Sequence, residues 1–419
     1  MNNDLNATMA DALQLTRDGR LTEATALLQQ GLGVASRAGQ PRAVPTGILP
    51  TGMLPAGMLP AGMLPAGILR SRREASPSGL PSAGGLFDTL RTRLLGARLP
   101  TELPVGLSGS SPSSAAAAAS ARAPGGEIRH LTHVDAAGSR TYDLYIPTGY
   151  AGEPVPLVIM LHGGTQGAKD FAAGTRMNDL AEQHTFLVAY PEQSPAANNG
   201  RYWNWFRPQD QRRDDGEPAI LAGITRQIIS DYAVDKARVY IIGFSAGGAM
   251  AAVMAAAYPD LYAAAGIHSG LAPGAAQDLP SAFEAMRNGG RAGSTIEMPL
   301  IVFHGDRDNI VAPINAERLI ASRIAASSRF DGRSGPRMTA TTKAEDSSSR
   351  SHSRRTYRDV DGSVVAEQWI VHGGSHAWSG GSPVGSYTDA RGPDASAEML
   401  RFFVEQTDQS LRAEEARGT

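Results

Sequence analysis

Cysteine is absent from the 419 residues of the sequence. This absence excludes disulfide bonds, which are favoured in oxidising compartments, and therefore favours a reducing compartment. Apolar runs long enough to span a bilayer are also missing, so the sequence predicts no transmembrane segment. Charged residues interrupt the first 35 residues, where a signal peptide needs an unbroken apolar core. The sequence therefore predicts a cytoplasmic protein without an export signal.

The chain has little excess of charge of either sign. Its 39 Lys and Arg residues and 41 Asp and Glu residues give a formal net charge of −2. This balance gives no reason to expect nucleic acid or an anionic membrane surface as a partner. Glycine and proline, in contrast, are abundant, with 47 and 27 residues. A compact enzyme core does not require so many, and the excess lies before residue 127.

Composition and periodicity divide the chain into four parts. Residues 1–35 carry apolar residues at helical spacing on both sides of a turn signal, which predicts a helical hairpin. Residues 36–126 contain a Pro- and Gly-rich Met-Leu repeat followed by a Ser/Ala-rich stretch, which predicts a flexible linker. Residues 127–407 are predicted to form the catalytic domain, and residues 408–419 a disordered tail.

A five-residue repeat with proline at every fifth position extends from Thr46 to Leu69. Proline at that frequency excludes a regular helix or a central strand. The Met-Leu pairs of the repeat are therefore either exposed to solvent or bound to something apolar. A repeat-expanded linker without a binding role is the alternative.

The catalytic part has the pattern of an α/β protein. Strand patterns near Val158, Leu187, Val239, Ala263, Ile301 and Trp369 alternate with helical patterns, which predicts a mostly parallel central sheet with helices on both faces. An antiparallel strand is expected at Arg140–Pro147. The polar segment Ala325–Arg355 is interpreted as a surface insertion, and Asp394 is expected to cap the last helix.

A serine at the centre of a G-x-S-x-G pattern is the first candidate catalytic residue. Gly243-Phe244-Ser245-Ala246-Gly247 follows a β-branched apolar strand and precedes an alanine-rich helical segment. The two glycines suit a sharp strand-to-helix turn, where a Cβ would collide with neighbouring backbone. The pattern predicts a nucleophile elbow with Ser245 as the nucleophile. Its structural alternative is a helix N-cap.

A serine nucleophile needs an acid and a base. In proteins with a nucleophile elbow, these residues follow the serine along the chain in the order Ser, acid, His. The apolar strand at Ile301–His304 ends in a loop with two aspartates, of which Asp308 is the predicted acid. Asp306 is the rival, but it lies close to the strand end and is expected to cap the turn. Of the three histidines that follow, His376 lies in a glycine-rich loop beside a tryptophan and is the predicted base. A turn aspartate and a loop histidine are the structural alternatives.

The oxyanion site is expected on the loop after an earlier strand, where backbone N–H groups can converge. His162-Gly163-Gly164-Thr165 follows the apolar strand Leu157–Leu161. The predicted oxyanion-hole residues are Gly164, Thr165 and, after the nucleophile, Ala246. His162 and His304 are expected to hold loops, because catalysis needs one base.

Three tryptophans are candidate substrate-binding residues. Trp203 and Trp205 lie two residues apart in a polar loop and could line an acyl or alcohol pocket, or one of them could be a packing anchor. Trp378 is expected to shape the cleft beside His376.

The acidic residues Asp214, Asp215 and Glu217 could suggest a metal site. Placement of their negative charge at a helix N-terminus is the preferred interpretation. The sequence therefore predicts neither a metal nor another cofactor.

Several motifs carry a family resemblance. The chain resembles the esterase family of polyhydroxybutyrate (PHB) depolymerases from about Glu127 to Phe403, in the segments Leu161–Gln166, Phe171–Asn178, Tyr190–Gln193, Trp203–Phe206, Gly243–Met250, His268–Gly270 and His376–Trp378. The resemblance implies an α/β-hydrolase fold, hydrolysis of carboxylic esters and a triad of Ser245, Asp308 and His376. Feruloyl and acetylxylan esterases share this core. Secreted relatives often have cysteine at the positions of Gly164 and Tyr202, and this chain departs from that pattern.

The predicted function is that of a serine carboxylic ester hydrolase. Short-chain poly(3-hydroxyalkanoate) or its oligomers are the favoured substrates, cleaved through an acyl-enzyme intermediate. A feruloyl or acetylxylan esterase is the first alternative, and a granule-surface binding protein with a vestigial hydrolase core is the second. The expected partners are an ester or polyester and a polyhydroxyalkanoate granule surface. An extracellular location, as in many members of the family, is the alternative to the cytoplasm.

Overall fold

The computed structural model describes residues 125–331, 337–343 and 349–418. The predicted helical hairpin at 1–35 lies outside the described residues, as does the predicted linker at 36–126 apart from its last two residues. Among the described residues, no helix is both long enough and apolar enough to cross a membrane.

The central element of the fold is a mixed sheet. Its strands are β1 (Glu127–Asp135), β2 (Gly138–Ile146), β3 (Val155–Leu161), β4 (Leu187–Pro191), β5 (Val234–Phe244), β6 (Ala264–His268), β7 (Leu300–Gly305), β8 (Arg337–Lys343), β9 (His352–Arg358) and β10 (Val364–Val371). They lie in the order β1-β2-β4-β3-β5-β6-β7-β10-β9-β8. The six strands from β4 to β10 in this order are parallel, while β1, β2, β9 and β8 pair antiparallel at the two edges. The predicted mostly parallel sheet is confirmed.

Helices cover both faces of the sheet. They are α1 (Ala168–Thr175), α2 (Met177–His184), α3 (Gly216–Asp231), α4 (Ala246–Ala257), α5 (Leu279–Asn288), α6 (Ile314–Asp331) and α7 (Ala395–Gly418). Strand β3 shows how the core is divided, because Leu157 and Ile159 belong to one apolar cluster and Val158 and Met160 to the other. Each fully buried side chain of this kind contributes about 1.5–3 kcal/mol. This arrangement confirms the predicted α/β-hydrolase fold.

Two expectations about the later part of the chain are wrong. The segment 325–355 is not a surface insertion, because β8 and the start of β9 lie in it and extend the sheet beyond β10. Edge strands tolerate polar and charged side chains, so their sequence lacks the apolar signal of the central strands. Helix α7 continues to Gly418 rather than giving way to a disordered tail at residue 408. Residues 411–417 are strong helix formers, which explains its length.

Helix α7 begins as expected. The carboxylate of Asp394 accepts a hydrogen bond from the Ala397 N–H at 3.0 Å. This contact satisfies a donor of the first turn that has no partner within the helix.

Candidate active site

Ser245 lies at the turn between β5 and α4 in a strained backbone conformation, with φ 55° and ψ −119°. The flanking glycines are required by close contacts. A Cβ on Gly243 would lie 2.1 Å from the Gly247 oxygen, and a Cβ on Gly247 would lie 2.2 Å from the Leu161 oxygen. The Ser245 N–H donates to the His268 oxygen at 2.9 Å, which fixes the turn to β6.

Ser245, His376 and Asp308 form a hydrogen-bonded series that we call the Ser245 relay. Ser245 Oγ lies 2.8 Å from His376 Nε2, and His376 Nδ1 lies 2.7 Å from Asp308 Oδ2. An ionised carboxylate can only accept, so Nδ1 carries the proton and Nε2 accepts from the serine hydroxyl. The side chains of His376 and Asp308 are 6% and 0% exposed, which shields both groups from water.

Parallel strand ends explain why the three residues meet. Asp308 follows β7, His376 follows β10 and Ser245 follows β5, so all three lie at the carboxyl edge of the parallel strands. Ligand and catalytic sites of open α/β sheets lie at this edge.

Asp308 is held as an anion by several donors. Its Oδ1 accepts from the N–H groups of Ile310 and Val311 at 2.9 Å each. Burial would raise the pKa of Asp308, but the charge of His376 and the hydrogen bonds of His304 and His376 outweigh it and lower the pKa. Asp308 therefore carries its charge at neutral pH.

Asp306, the rival acid, has different partners. Its Oδ2 lies 2.9 Å from His372 Nδ1, and its Oδ1 accepts from the Gly373 N–H at 2.7 Å. It binds the end of β10 instead of His376.

The predicted oxyanion residues separate into two groups. Gly164 and Ala246 line the pocket beside Ser245. No acceptor for the Gly164 N–H is found among the described residues, and Ala246 opens α4, where N–H groups have no intrahelical acceptor. Thr165 was wrongly predicted as a donor, because its N–H already donates to the Gly200 oxygen at 2.9 Å.

A pocket of about 610 Å³, its mouth included, lies in front of Ser245. Its lining is mostly apolar, and among the described residues no Asp, Glu, Lys or Arg contributes to it. The lining residues are Gly164, Tyr202, Trp205, Phe206, Phe244, Ser245, Ala246, Leu271, Leu279, Ala282, Phe283, Met286, Ile310, Val311, His376 and Tyr387. This apolar lining favours an uncharged ligand over a charged one.

Of the three predicted substrate-binding tryptophans, Trp205 alone lies in the pocket wall. Trp203 is fully buried, and its Nε1 donates to the His162 oxygen at 3.1 Å. Trp378 is also buried, with its ring stacked on His268 at 5.0 Å and its Nε1 donating to Ser396. Trp203 is therefore the packing anchor that the sequence analysis gave as the alternative to a pocket residue. The prediction that Trp378 shapes the cleft is wrong, because its side chain packs beneath the site.

Gly164 and Tyr202, the two positions at which the family resemblance implies cysteine in secreted relatives, are neighbours in the structure. A Cβ on Gly164 would fall 2.0 Å from the Tyr202 ring, so the two positions are in contact. The ring occupies the space beside the glycine and forms part of the pocket wall. Glycine is needed at residue 164 as long as tyrosine stands at 202.

The loop with the tryptophans is fixed by a buried carboxylate that sequence reasoning assigned to a helix terminus. Glu217 accepts from the backbone N–H and the side-chain amide of Asn204 at 2.7 Å each, and it also contacts Gln193 and Arg140. Burial raises the pKa of Glu217. Among the described residues, no group of His, Cys, Asp and Glu side chains is arranged to hold a metal ion.

Two buried histidines hold neighbouring loops. His162 Nε2 accepts from the Gln193 N–H at 3.1 Å and its Nδ1 donates to the Gly163 oxygen at 2.8 Å. Burial lowers the pKa of His162 to about 4. His268 Nε2 accepts from the Ser379 N–H at 3.0 Å, and burial together with the charge of nearby histidines lowers its pKa well below the usual value. His268 lies in one of the family motifs, but the sequence around it does not indicate this role.

The known proteins that this chain resembles are esterases and depolymerases. The family model for esterase PHB depolymerases matches residues 140–348. The chain is 30% identical over 280 residues to poly(3-hydroxyalkanoate) depolymerase C of Paucimonas lemoignei, which covers 62% of this chain and 64% of that protein. It is 29% identical over 217 residues to acetylxylan esterase A of Talaromyces purpureogenus, with 46% and 56% covered. The chain thus spans less than two thirds of the length of these curated relatives.

A solved structure shares the fold. An acetyl xylan esterase from Aspergillus awamori superposes with a TM-score of 0.51 at 20% identity, covering 67% of this chain and all of that one. At this identity the likeness concerns the fold. The chain belongs to the esterase family of PHB depolymerases.

Proposed function

We propose that the chain is a serine carboxylic ester hydrolase. The observation that carries the proposal is the Ser245 relay at the mouth of an apolar pocket. Ser245 Oγ attacks the ester carbonyl carbon while His376 Nε2 takes its proton and then gives it to the leaving alcohol. Asp308 orients the imidazole and stabilises its charge. Water, deprotonated by His376, then releases the acid from the acyl-enzyme.

Backbone donors stabilise the tetrahedral intermediate in this proposal. Gly164 and Ala246 line the pocket with Ser245, and their N–H groups are the candidates to bind the developing oxyanion. Thr165 contributes through its side chain instead, because its hydroxyl lies 3.2 Å from the Tyr387 hydroxyl and fastens the donor loop.

The favoured substrate is a short-chain poly(3-hydroxyalkanoate) or its oligomers. Similarity to a poly(3-hydroxyalkanoate) depolymerase supports it, as does a pocket whose described lining contains no Asp, Glu, Lys or Arg side chain. A feruloyl or acetylxylan esterase is the second candidate, favoured by the aromatic wall of Trp205 and Phe206 and by the acetylxylan esterase relative. The intact hydrogen bonds of the Ser245 relay disfavour a purely granule-binding role with a vestigial core.

Side-by-side assays with purified full-length protein test the activity and the substrate. We expect faster hydrolysis of amorphous polyhydroxybutyrate and hydroxybutyrate oligomers than of methyl ferulate or acetylated xylan. Ser245→Ala and His376→Ala should each lower ester hydrolysis by orders of magnitude, because the members of such a relay act as a unit. Their melting temperatures should stay near that of the native chain. Residual activity above about a tenth in either variant would contradict the assignment.

We also propose that the protein acts at the surface of polyhydroxyalkanoate granules in the cytoplasm. Support comes from the apolar Met-Leu-Pro repeat at residues 46–69. An extracellular location is the alternative, and fractionation of the source cells with an antibody against the chain distinguishes the two.

A further inference from the structure

A second series of serine, histidine and aspartate side chains lies beside the Ser245 relay. Ser353 Oγ lies 2.8 Å from His372 Nε2, and His372 Nδ1 lies 2.9 Å from Asp306 Oδ2. The order of hydroxyl, Nε2, Nδ1 and carboxylate is the same as in the Ser245 relay. We call Ser353, His372 and Asp306 the outer relay.

Neighbouring strand ends bring the outer relay together. Asp306 follows β7 and His372 follows β10, so each stands on the same loop as a member of the Ser245 relay. Ser353 lies in β9, opposite Ile370 of β10. The outer relay is therefore closer to the sheet edge than the Ser245 relay, and its serine comes from a different strand.

The contacts of the outer relay suit an activated hydroxyl. Asp306 accepts from His372 Nδ1, which leaves Nε2 as the acceptor for the Ser353 hydroxyl. The second oxygen of Asp306 accepts from the Gly373 N–H at 2.7 Å, which holds the carboxylate in place. A hydroxyl that donates to an imidazole oriented by a third group has the arrangement of a nucleophile. The side chains of His372 and Asp306 are each 37% exposed, so small molecules reach them from solvent.

We propose that Ser353 is a second acylation site, which takes acyl groups from activated esters. Ser353 Oγ forms a bond to the carbonyl carbon, and the bond from that carbon to the leaving aryloxide breaks. His372 Nε2 accepts the hydroxyl proton and passes it to solvent.

The backbone around Ser353 sets the class of ester. Ser353 lies within an extended strand, whereas Ser245 stands ahead of a helix. The first turn of a helix directs several backbone N–H groups to one point, whereas an extended strand does not, so we expect less stabilisation of a tetrahedral intermediate at Ser353. The reaction is therefore confined to esters with good leaving groups, such as aryl esters. The acyl-serine persists, because its own alkoxide is a poor leaving group.

Acetylation of the Ser245→Ala variant with p-nitrophenyl acetate, followed by peptide mapping, tests the proposal independently of the esterase activity. We expect acetyl transfer to Ser353 at least about tenfold faster than to Ser351, a half-buried serine of the same region that serves as the matched control. Adding His372→Gln should slow the acetylation of Ser353 by at least about tenfold. Peptide mapping separates the serine ester from an acetylated histidine.

Asp306→Asn in the Ser245→Ala background is a second variant that tests the proposal. Thermal unfolding verifies that each variant is folded. Asp306→Asn should also slow acetylation of Ser353, because His372 loses the partner that fixes its tautomer. Absence of acetyl on Ser353, or a rate unchanged in whichever of the two variants folds, would overturn the proposal.

Discussion

At the scale of single residues, the two aspartates after β7 differ in what they touch. Asp308 contacts the imidazole of His376, whereas Asp306 contacts His372. Asp308→Asn presents an amide to Nδ1 and favours the wrong tautomer, so we expect kcat to fall on the order of 10³-fold to 10⁴-fold. Asp306→Asn should change kcat little. Steady-state kinetics on one soluble ester measures both, and a larger loss in Asp306→Asn would show that the acid is two residues away.

Tyr387 is a residue that no sequence motif indicated. It lines the pocket, has a φ of 53°, and its hydroxyl lies 3.2 Å from the Thr165 hydroxyl. Thr165 itself has a φ of 65°, which is unusual for a β-branched residue. Strained conformations persist where surrounding contacts hold them. The Tyr387 hydroxyl therefore acts as a positioning group for the loop that carries Gly164.

Tyr387→Phe should lower kcat roughly threefold to tenfold with little change in KM, because one hydrogen bond is worth about 0.5–1.5 kcal/mol. Tyr262→Phe is the matched control. Its hydroxyl lies 2.9 Å from the Thr225 hydroxyl in the core, away from the pocket, so its loss should lower stability and leave kcat unchanged. A change in KM without a change in kcat for Tyr387→Phe would show that this residue only lines the pocket and does not position the loop.

At the scale of elements, buried histidines at strand ends link stability to pH. His162 follows β3 with a pKa lowered to about 4, and His268 ends β6 with a pKa well below its usual value, both through burial first. Below about pH 6.5 the unfolded chain protonates these groups while the folded chain does not. The unfolded state then binds more protons, so the free energy of unfolding falls as pH decreases.

The expected slope is up to about 1.4 kcal/mol per pH unit for each histidine below about pH 6.5. For His162 this contribution ends near pH 4, where its folded-state pKa lies. Asp308 changes the free energy of unfolding outside this pH window. Its pKa is lowered in the folded state, so the stability that it contributes is lost only as pH falls below the ordinary aspartate pKa. Denaturant unfolding at several pH values measures the slope. His162→Gln should make it shallower, and His184→Gln, at an exposed position of α2, should leave it unchanged. Equal slopes in all three proteins would contradict this origin.

Much of the arrangement follows from local sequence, and the remainder depends on distant contacts. Ser245, Asp308 and His376 each follow an apolar strand, so parallel pairing places them at one edge of the sheet. The neighbours of Thr165 in the sequence predict an oxyanion donor, whereas in the structure its N–H donates to the oxygen of Gly200, which is 35 residues away along the chain. The hydrophobic period and the secondary-structure propensities of the sequence carry no information on such a contact.

The tryptophans show the same limit for side chains. Trp203 and Trp205 have nearly the same sequence context, yet one packs on His162 and the other lines the pocket. In an extended segment alternate residues share a face, so spacing by two does not explain the difference. The contact of Asn204 with buried Glu217 fixes how the loop turns between them. The sequence indicates that aromatic residues are near the site, but not which of them face the ligand.

At the scale of the whole molecule, the Met-Leu-Pro repeat is the feature that the hydrolase fold does not explain. Residues 46–69 lie outside the described residues, and their sequence combines Met-Leu pairs with proline at every fifth position. Proline keeps such pairs out of a regular helix or a central strand, and thioether side chains adapt to irregular apolar surfaces. If the repeat binds granules as proposed, the tether raises the effective concentration of the domain at residues 127–407 near the polymer.

Deletion of Pro45 to Arg70 should therefore leave kcat on a soluble ester unchanged and weaken co-sedimentation with polyhydroxybutyrate granules. The two effects are expected to separate, because the described residues that form the Ser245 relay and line its pocket lie between positions 164 and 387, outside the deleted segment. A control that replaces residues 45–70 with a Gly/Ser segment of equal length keeps the spacing and removes the apolar side chains. If that replacement binds granules as well as the native chain, the repeat is a spacer. If it binds as weakly as the deletion, the Met and Leu side chains are the granule-binding groups.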